Sequence, residues 1–348
     1  MPDEFALACP LPIANRKTIV LGHGSGGRLT AQLLHDLFLP AFDNQFLRKL
    51  DDQAVLSVGG ARIAFTTDSF VVTPLFFPGG DIGKLAIHGT VNDLAMSGAR
   101  PLYLSAAFIM EEGLPLDELS RIAASMSEAA KAAGVAVVTG DTKVVNKGSA
   151  DKLFITTTGI GLVPDGVEIS ASYAKAGDRV ILSGTIGDHG MAVFSRRENL
   201  EFEAAIESDT APLHRLVETI LAAGEIHALR DPTRGGLATT LCEIAGSARV
   251  GVQVRADRIP VRAEVKAACE ILGMDPLFVA NEGKLVAFVA PASADAILAA
   301  MRRMPEGRDA VIIGEAVEAH PGVVLLKTEI GGSRVLDLPF SEQLPRIC

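Results

Sequence analysis

The sequence predicts two domains, each built from alternating helices and strands, with acidic residues gathered at strand ends. Three observations predict it. The chain has 348 residues, enough for two buried cores. Strand-like and helix-like stretches alternate in both halves. A turn-rich stretch at 164–176, opened by Pro164, Asp165 and Gly166, parts the halves.

Composition narrows the class. Hydrophobic residues make up 48%, yet no apolar run reaches the length of a membrane span. The start, Met1-Pro2-Asp3-Glu4-Phe5, lacks the basic and apolar regions of a signal peptide, so a soluble cytoplasmic protein is expected. The net charge is −10 and no basic run argues for nucleic acid. An acidic protein that binds a polyphosphate needs metal ions to neutralise it. The four cysteines, Cys9, Cys242, Cys269 and Cys348, form no CxxC pair, which excludes the common zinc spacings and argues against a disulfide framework. Cys242 and Cys269 fall in apolar helical stretches and read as inert core residues.

In chain order, Lys17-Thr18-Ile19-Val20-Leu21 runs into Gly22-His23-Gly24-Ser25-Gly26-Gly27-Arg28. An amphipathic helix follows, with Leu29, Leu33, Leu34 and Leu37 on one face. A glycine-rich turn before a helix is either a flexible loop or a phosphate cradle. It is no P-loop, because no Gly-Lys-Ser/Thr closes it. Leu50–Leu56 and Ile63–Ser69 read as strands carrying Asp51-Asp52 and Thr66-Thr67-Asp68 at their ends. Adjacent carboxylates repel unless a cation or donor relieves them, and Mg²⁺ held through carboxylates, waters and phosphates would do so.

Asp81 is placed to cap a helix that carries His88, Asn92 and Asp93. His88 reads as a hydrogen-bonded structural histidine. Asp93, among small and apolar neighbours, needs a partner. A strand over Leu102–Met110 and a helix over Leu116–Ala133 follow. The strand Val135–Thr139 then opens on Gly140-Asp141-Thr142-Lys143, an acid and a base side by side, and Phe154–Gly161 is the next strand. The second half opens on strand Arg179–Ser183 and the turn Gly184–Gly190. Residues 198–210 read as an exposed connection before a helix over Leu213–Ala223. Asp231-Pro232-Thr233-Arg234-Gly235-Gly236 is a second glycine turn ahead of a helix, and Asn281-Glu282-Gly283 is another polar cluster at a strand end. Arg234 there either meets phosphate or caps local structure.

The chain ends Pro345-Arg346-Ile347-Cys348. A terminal thiol rides on the least constrained part of a chain and can visit one site for modification, then insert into another. Pro345 stiffens its base, Ile347 offers an apolar handle, and Arg346 a fork for carboxylate or phosphate.

These motifs, in this order, resemble the HypE hydrogenase expression/formation proteins, carbamoyl-cysteine dehydratases of the aminoimidazole ribonucleotide synthetase-like superfamily. The likeness runs from the Gly22–Arg28 loop to Pro345-Arg346-Ile347-Cys348, its most specific element. It implies an α+β fold of two synthetase-like domains. Residues 1–48 would be an N-terminal segment with the glycine loop and helix. Residues 49–165 would be the N-terminal domain, pairing with its copy in a homodimeric β-barrel. Residues 176–338 would form a C-terminal α/β sandwich, and 339–348 the mobile tail. The likeness also implies ATP-dependent dehydration of a carbamoyl group on Cys348 to a thiocyanate, the source of cyanide ligands for [NiFe]-hydrogenase. A carbamoyltransferase, HypF, would load the tail, and a scaffold of HypC and HypD would receive cyanide.

The same resemblance assigns Asp52, Asp93 and Asp231 as Mg²⁺ ligands. It sets Asp68 and Asp141 near the nucleotide or metal, with Asn92, Gly140 and Thr142 in the same cofactor site. The resemblance together with residue chemistry implies two more roles: Lys143 to orient or stabilise the transferred phosphoryl group, and Glu282 as the base that takes the nitrogen proton. Other ATP-dependent enzymes of the superfamily, selenophosphate synthetase or thiamine monophosphate kinase, are the alternatives, but neither explains Cys348. A non-catalytic maturation scaffold is a third reading, and it has no use for several unneutralised carboxylates.

Overall fold

The computed structural model describes residues 18–200, 205–339, 344 and 346–348. Cys9, Pro345 and parts of the 198–210 connection and of the tail lie outside the described residues. The glycine turn is a short 3₁₀ segment, Leu21–Gly24, followed by helix α1, Arg28–Leu33. A π turn, Leu34–Phe38, and a short α2, Leu39–Ala41, continue it. The expected apolar face is only partly used, since Leu29 is buried while Leu34 and Leu37 are exposed.

The N-terminal domain contains β1 Ala54–Val58, β2 Ala61–Phe70, the small pair β3 Phe76–Phe77 and β4 Gly80–Asp81, then helix α3 Ile82–Met96. After these come β5 Arg100–Glu111, helix α4 Leu116–Ala133, β6 Ala136–Val145 and β7 Leu153–Leu162. Its main sheet runs β1-β2-β7-β5-β6, with only β5–β6 parallel. Within one chain this sheet is open. Asp81 caps α3 as expected, its Oδ1 accepting from the N–H groups of Gly83 at 2.7 Å and Lys84 at 3.1 Å. Nearly all of α3 is buried, because the sheet covers one side and the second domain another.

One strand differs from expectation. Gly140-Asp141-Thr142-Lys143 lies inside β6 and not at a strand end, because pairing with β5 continues through Val145. Gly140 is where the two backbones come closest: an added Cβ would stand 2.2 Å from the Ala106 carbonyl oxygen.

The second half holds β8 Arg179–Leu182, α5 Asp188–Arg197, α6 His214–Leu221, β9 Ile226–Arg230, α7 Gly236–Ala248 and β10 Gly251–Arg255. It ends with α8 Ala263–Leu272, β11 Val286–Val289, α9 Ala294–Met301, β12 Val311–Val317, β13 Val324–Lys327 and β14 Ser333–Leu336. Its sheet runs β14-β13-β10-β12-β8-β11-β9. Neighbouring strand residues go to opposite cores: Val180 and Leu182 pack with α7, and Ile181 with α6 and α9. Cover on both faces is why these strands read as unbroken apolar runs.

A third core crosses the domain boundary. It joins Phe70, Leu85 and Ile122 of the first domain to Met191 and Val265 of the second, and Leu344 and Ile347 of the tail are buried in it. Residues 206–210, expected as part of an exposed connection, run through this boundary. Ile206 is 4% exposed and Thr210 6%, because Ser208 and Thr210 bond to buried histidines of both domains. Among the described residues no helix is long and apolar enough to cross a membrane.

Candidate active site

Five carboxylates from both domains converge where the domains meet. Asp52 precedes β1, Asp68 lies on β2, Asp93 on α3, Asp231 follows β9 and Glu282 precedes β11. Thr66 Oγ1 lies 2.8 Å from Asp93 Oδ2 and 2.9 Å from the Asp52 carbonyl oxygen, tying three of these elements together. Burial is the largest force on each acid, and it raises all five. Asp52 is pushed up to about 6, and Asp93, Asp231 and Glu282 are raised well above the carboxylate range. Their mutual repulsion adds to this, Asp231 and Asp68 acting on both Asp93 and Glu282. Asp68 is raised too, burial outweighing the pull of Arg234.

Arg230 is the cation the sequence reading missed. Its Nε lies 3.1 Å from Asp52 and its Nη2 3.2 Å from Glu243. Its own pKa rises and stays above the physiological range, so it is charged. Asp52 nevertheless titrates high, because burial outweighs the pull of a guanidinium that Glu243, Asp231 and Asp51 also share. The signal for Arg230 was its place directly before Asp231 at a strand end. Asp51, the other half of the acidic pair, is a structural cap: it accepts from Ser170 Oγ at 2.8 Å and from the Ala171 N–H at 3.0 Å.

Among the described residues no three His, Cys, Asp or Glu side chains close on one point as a self-sufficient metal cage. Mg²⁺ keeps waters and is held by one or two carboxylates together with substrate phosphates. Glu282 Oε1 is buried without a hydrogen-bond partner, and the crowded acids need a cation, so the donor set fits.

This arrangement has a thermodynamic consequence. Each raised acid keeps its proton in the fold at a pH where the unfolded chain has lost it. The unfolded state then binds fewer protons, and stability falls as pH rises through the folded pKa values. Buried His88 and His189, both pulled below the imidazole range by burial, act oppositely below about pH 6.5. Above that the acids dominate, until the raised Cys242 and Cys269 thiols add a loss of the same sign where unfolded thiols ionise. As pH rises through the raised pKa values of the buried acids, the chelator-treated chain is expected to lose melting temperature, at roughly 2–4 °C per kcal/mol. Mg²⁺ should restore most of the loss at the upper pH. Asp93→Asn with Asp231→Asn should flatten both effects; a double variant that melts with wild-type pH and Mg²⁺ dependence would refute the account.

The remaining predicted residues separate. Asn92 is a cross-tie: Nδ2 donates to the carbonyls of Ala211 at 3.0 Å and Glu282 at 3.4 Å, and Oδ1 accepts from the Leu213 N–H at 2.8 Å. Its two donors are committed to holding α3 against the second domain. Asn281 does similar work, accepting from the Gly187 N–H and donating to the Pro232 carbonyl. His88 is structural as expected, its Nδ1 3.2 Å from Thr210 Oγ1. Asp141 and Lys143 form an exposed ion pair at 2.9 Å on edge strand β6. Asp68 faces Thr157, which faces Ala106, which faces Gly140. The Gly140–Lys143 group is thus about 14 Å from β2, three strand spacings away. The glycine turn is partly occupied: the Gly26 N–H bonds Thr30 Oγ1 at 2.9 Å, and Arg234 Nη1 donates to the Gly24 carbonyl at 3.1 Å. Cys242, Cys269 and Cys348 form no disulfide. Cys269 is a core residue, while Cys242 is only half-buried and lines the cavity described below.

The last residues of the tail, expected as an arm that visits one site and inserts into another, stand in an inserted position. Ile347 pairs antiparallel with Val72, extending the β2 end. The Val71 N–H donates to the Cys348 carbonyl at 2.8 Å and the Thr73 N–H to the Arg346 carbonyl at 3.2 Å. Ile347 is 2% exposed, and Arg346 reaches Asp151 at 2.7 Å. The terminal cysteine therefore stands at the end of β2, three residues from Asp68 in the partner strand.

Comparison with known proteins follows the same outline. Residues 50–163 match the AIR synthase related protein, N-terminal domain, and residues 175–327 match its C-terminal domain. The carbamoyl dehydratase HypE of Rhizobium leguminosarum bv. viciae is 56% identical over 340 residues, 97% of both chains. The chain belongs to the HypE family of carbamoyl dehydratases. Among solved structures of the family, a HypE in complex with ATP matches at TM-score 0.81 and 50% identity, covering 95% of this chain and 100% of that one. A HypE–HypF complex matches at TM-score 0.84 and 52% identity, covering 88% of this chain and 99% of that one.

Proposed function

We propose that this chain uses ATP and Mg²⁺ to dehydrate a carbamoyl group carried on Cys348, giving a thiocyanate for [NiFe]-hydrogenase maturation. The observation that carries the reading is the seated tail. A terminal thiol docked by backbone pairing beside buried carboxylates is what a self-modifying dehydratase needs, and a freely hanging docking peptide does not need it. Family membership supports the same chemistry, and the relative solved with HypF supports a transferase that loads the tail. HypC and HypD remain the proposed cyanide acceptors.

The reaction must remove oxide from an amide-like carbon, and oxide is a very poor leaving group. Transfer of the γ-phosphoryl group to the carbamoyl oxygen turns it into phosphate. Loss of the nitrogen protons and departure of phosphate then leave S–C≡N, with ADP and phosphate as by-products. Mg²⁺ would neutralise the triphosphate, held through Asp52, Asp93 and Asp231 with Asp68 alongside. Glu282, raised well above the ordinary carboxylate range by burial and then by its acidic neighbours, is suited to take a proton from nitrogen. The cavity lined by Asp52, Thr66, Arg230 and Glu243, with Leu47, Leu50 and Phe65, is about 950 Å³ and mostly apolar. It would take the nucleoside end of ATP.

The enzyme is proposed to act as a homodimer. The outer face of the N-terminal sheet exposes Phe65, Tyr103 and Ile109, and edge strand β6 is exposed along nearly its whole length. A long bare edge invites pairing, and a second copy laid against it removes the hazard.

The test is intact mass after incubation with the carbamoyltransferase, carbamoyl phosphate and ATP. A gain of one carbamoyl group and then loss of one water, absent in Cys348→Ala, is expected. No gain on wild type, with a transferase active on another acceptor, would overturn the reading.

A further inference from the structure

The seated tail is held along both of its edges. Its inner edge pairs with Val71 and Thr73. In an antiparallel ladder, a residue flanked by two such bonds points its own N–H and C=O the other way. Ile347 is that residue, so its carbonyl faces into the second domain. His189, fully buried on α5, meets it there with Nε2 2.7 Å from the oxygen. A carbonyl only accepts, so Nε2 carries the hydrogen and Nδ1 of the neutral ring is an acceptor. Ser208 Oγ stands 2.8 Å from Nδ1 and itself accepts from the Thr210 N–H at 3.2 Å, which leaves its hydrogen for the ring. The edge of the ring also packs against Phe77 with centroids 5.5 Å apart. Arg197, at the other end of α5, donates to the Arg346 carbonyl and to the Thr73 carbonyl.

We infer that His189, oriented by Ser208, is a positioning residue that latches the last peptide of the chain and so aims Cys348 at the carboxylate site. The bond falls on the peptide immediately before Cys348, where a small rotation most changes the thiol's direction. Its partner is a backbone carbonyl, so the latch reads the main chain and is indifferent to what the sulfur carries. The same contact can form before and after carbamoylation, which a tail that leaves for loading and returns requires. The segment bearing Ser208 also carries Asp209, whose Oδ1 accepts from the Glu282 N–H at 3.0 Å. The latch and the proposed base thus share one support.

The consequence for dehydration rests on the function proposed above, whereas the seating of the tail does not. The test therefore reads both. Iodoacetamide labelling of Cys348, followed by intact mass, reports how often the tail is out. His189→Phe should label roughly tenfold faster than wild type, the factor that one net hydrogen bond is worth. His189→Gln, whose amide can still donate, should return most of the way. Ser208→Ala should give a smaller rise of roughly threefold and guards against a His189→Phe chain that fails to fold. In the coupled reaction, His189→Phe should accept the carbamoyl group at the wild-type rate and dehydrate more slowly. Wild-type labelling rates in His189→Phe and Ser208→Ala would overturn the latch. A wild-type chain that takes a carbamoyl group and never loses water would instead overturn the proposed function, leaving the labelling result to stand or fall alone.

Discussion

Glu282→Gln is expected to stop the chemistry after loading. The variant should accept a carbamoyl group on Cys348 and then hold it, with dehydration slowed about 10²–10⁴-fold, the usual worth of a general base. Three features single out this side chain. It is 4% exposed, its Oε1 has no hydrogen-bond partner, and it sits among acids that raise it well above the carboxylate range. A group so placed takes a proton readily and has no structural bond to lose from that oxygen. The amide keeps the shape and removes the basicity. Burial already disfavours the charged carboxylate here, so a neutral amide of the same shape should also leave the melting temperature equal to or above wild type. Slow loading would point to a folding or docking defect, and unchanged dehydration would remove Glu282 from the mechanism. The measurement is intact mass against time after a single addition of ATP.

The parts of this site that were legible in sequence were those whose chemistry is costly elsewhere. Asp52, Asp68, Asp231 and Glu282 stand in polar clusters at or near strand ends, Asp93 stands among small and apolar neighbours, and such acids need a shared reason. The helix Leu116–Ala133 and the Asp81 cap follow from periodicity and local bonding, both of which are short-range. What could not be read is long-range. Asn92 looks like a ligand beside Asp93, yet its bonds go to residues more than a hundred positions away. The 206–210 segment looks solvated because its Ser and Thr are polar, but those hydroxyls meet buried histidines of both domains. Arg230 is one charge among many until the fold brings Asp52 and Glu243 to it. The seat of the tail could not be read either, because local sequence cannot show that the chain just beyond β2 leaves an edge to receive it.

Lys143→Ala and Glu282→Gln, each inactive alone, are expected to complement one another when mixed as heterodimers. The reason is geometric. Lys143 faces Ile109, and Ile109 faces Phe154. Phe154 adjoins Ile155, which faces Phe70 beside Val71, and Val71 holds Cys348. Lysine and thiol thus lie at opposite edges of one sheet, about 19 Å apart at four strand spacings, beyond the reach of a lysine side chain. If Lys143 stabilises the phosphoryl group near Cys348, it does so for the partner's tail. A heterodimer then has one complete site, combining Glu282 and Cys348 of the Lys143→Ala chain with Lys143 of its partner. The other site carries both lesions. Random pairing should restore about a quarter of wild-type turnover. Thiocyanate should form only on the Lys143→Ala chain, which its mass distinguishes from the Glu282→Gln chain. Absence of complementation in a purified heterodimer would confine the chemistry to one chain and leave Lys143 too far away to share in it. Activity of Lys143→Ala by itself would show that its exposed pair with Asp141 is only a surface contact.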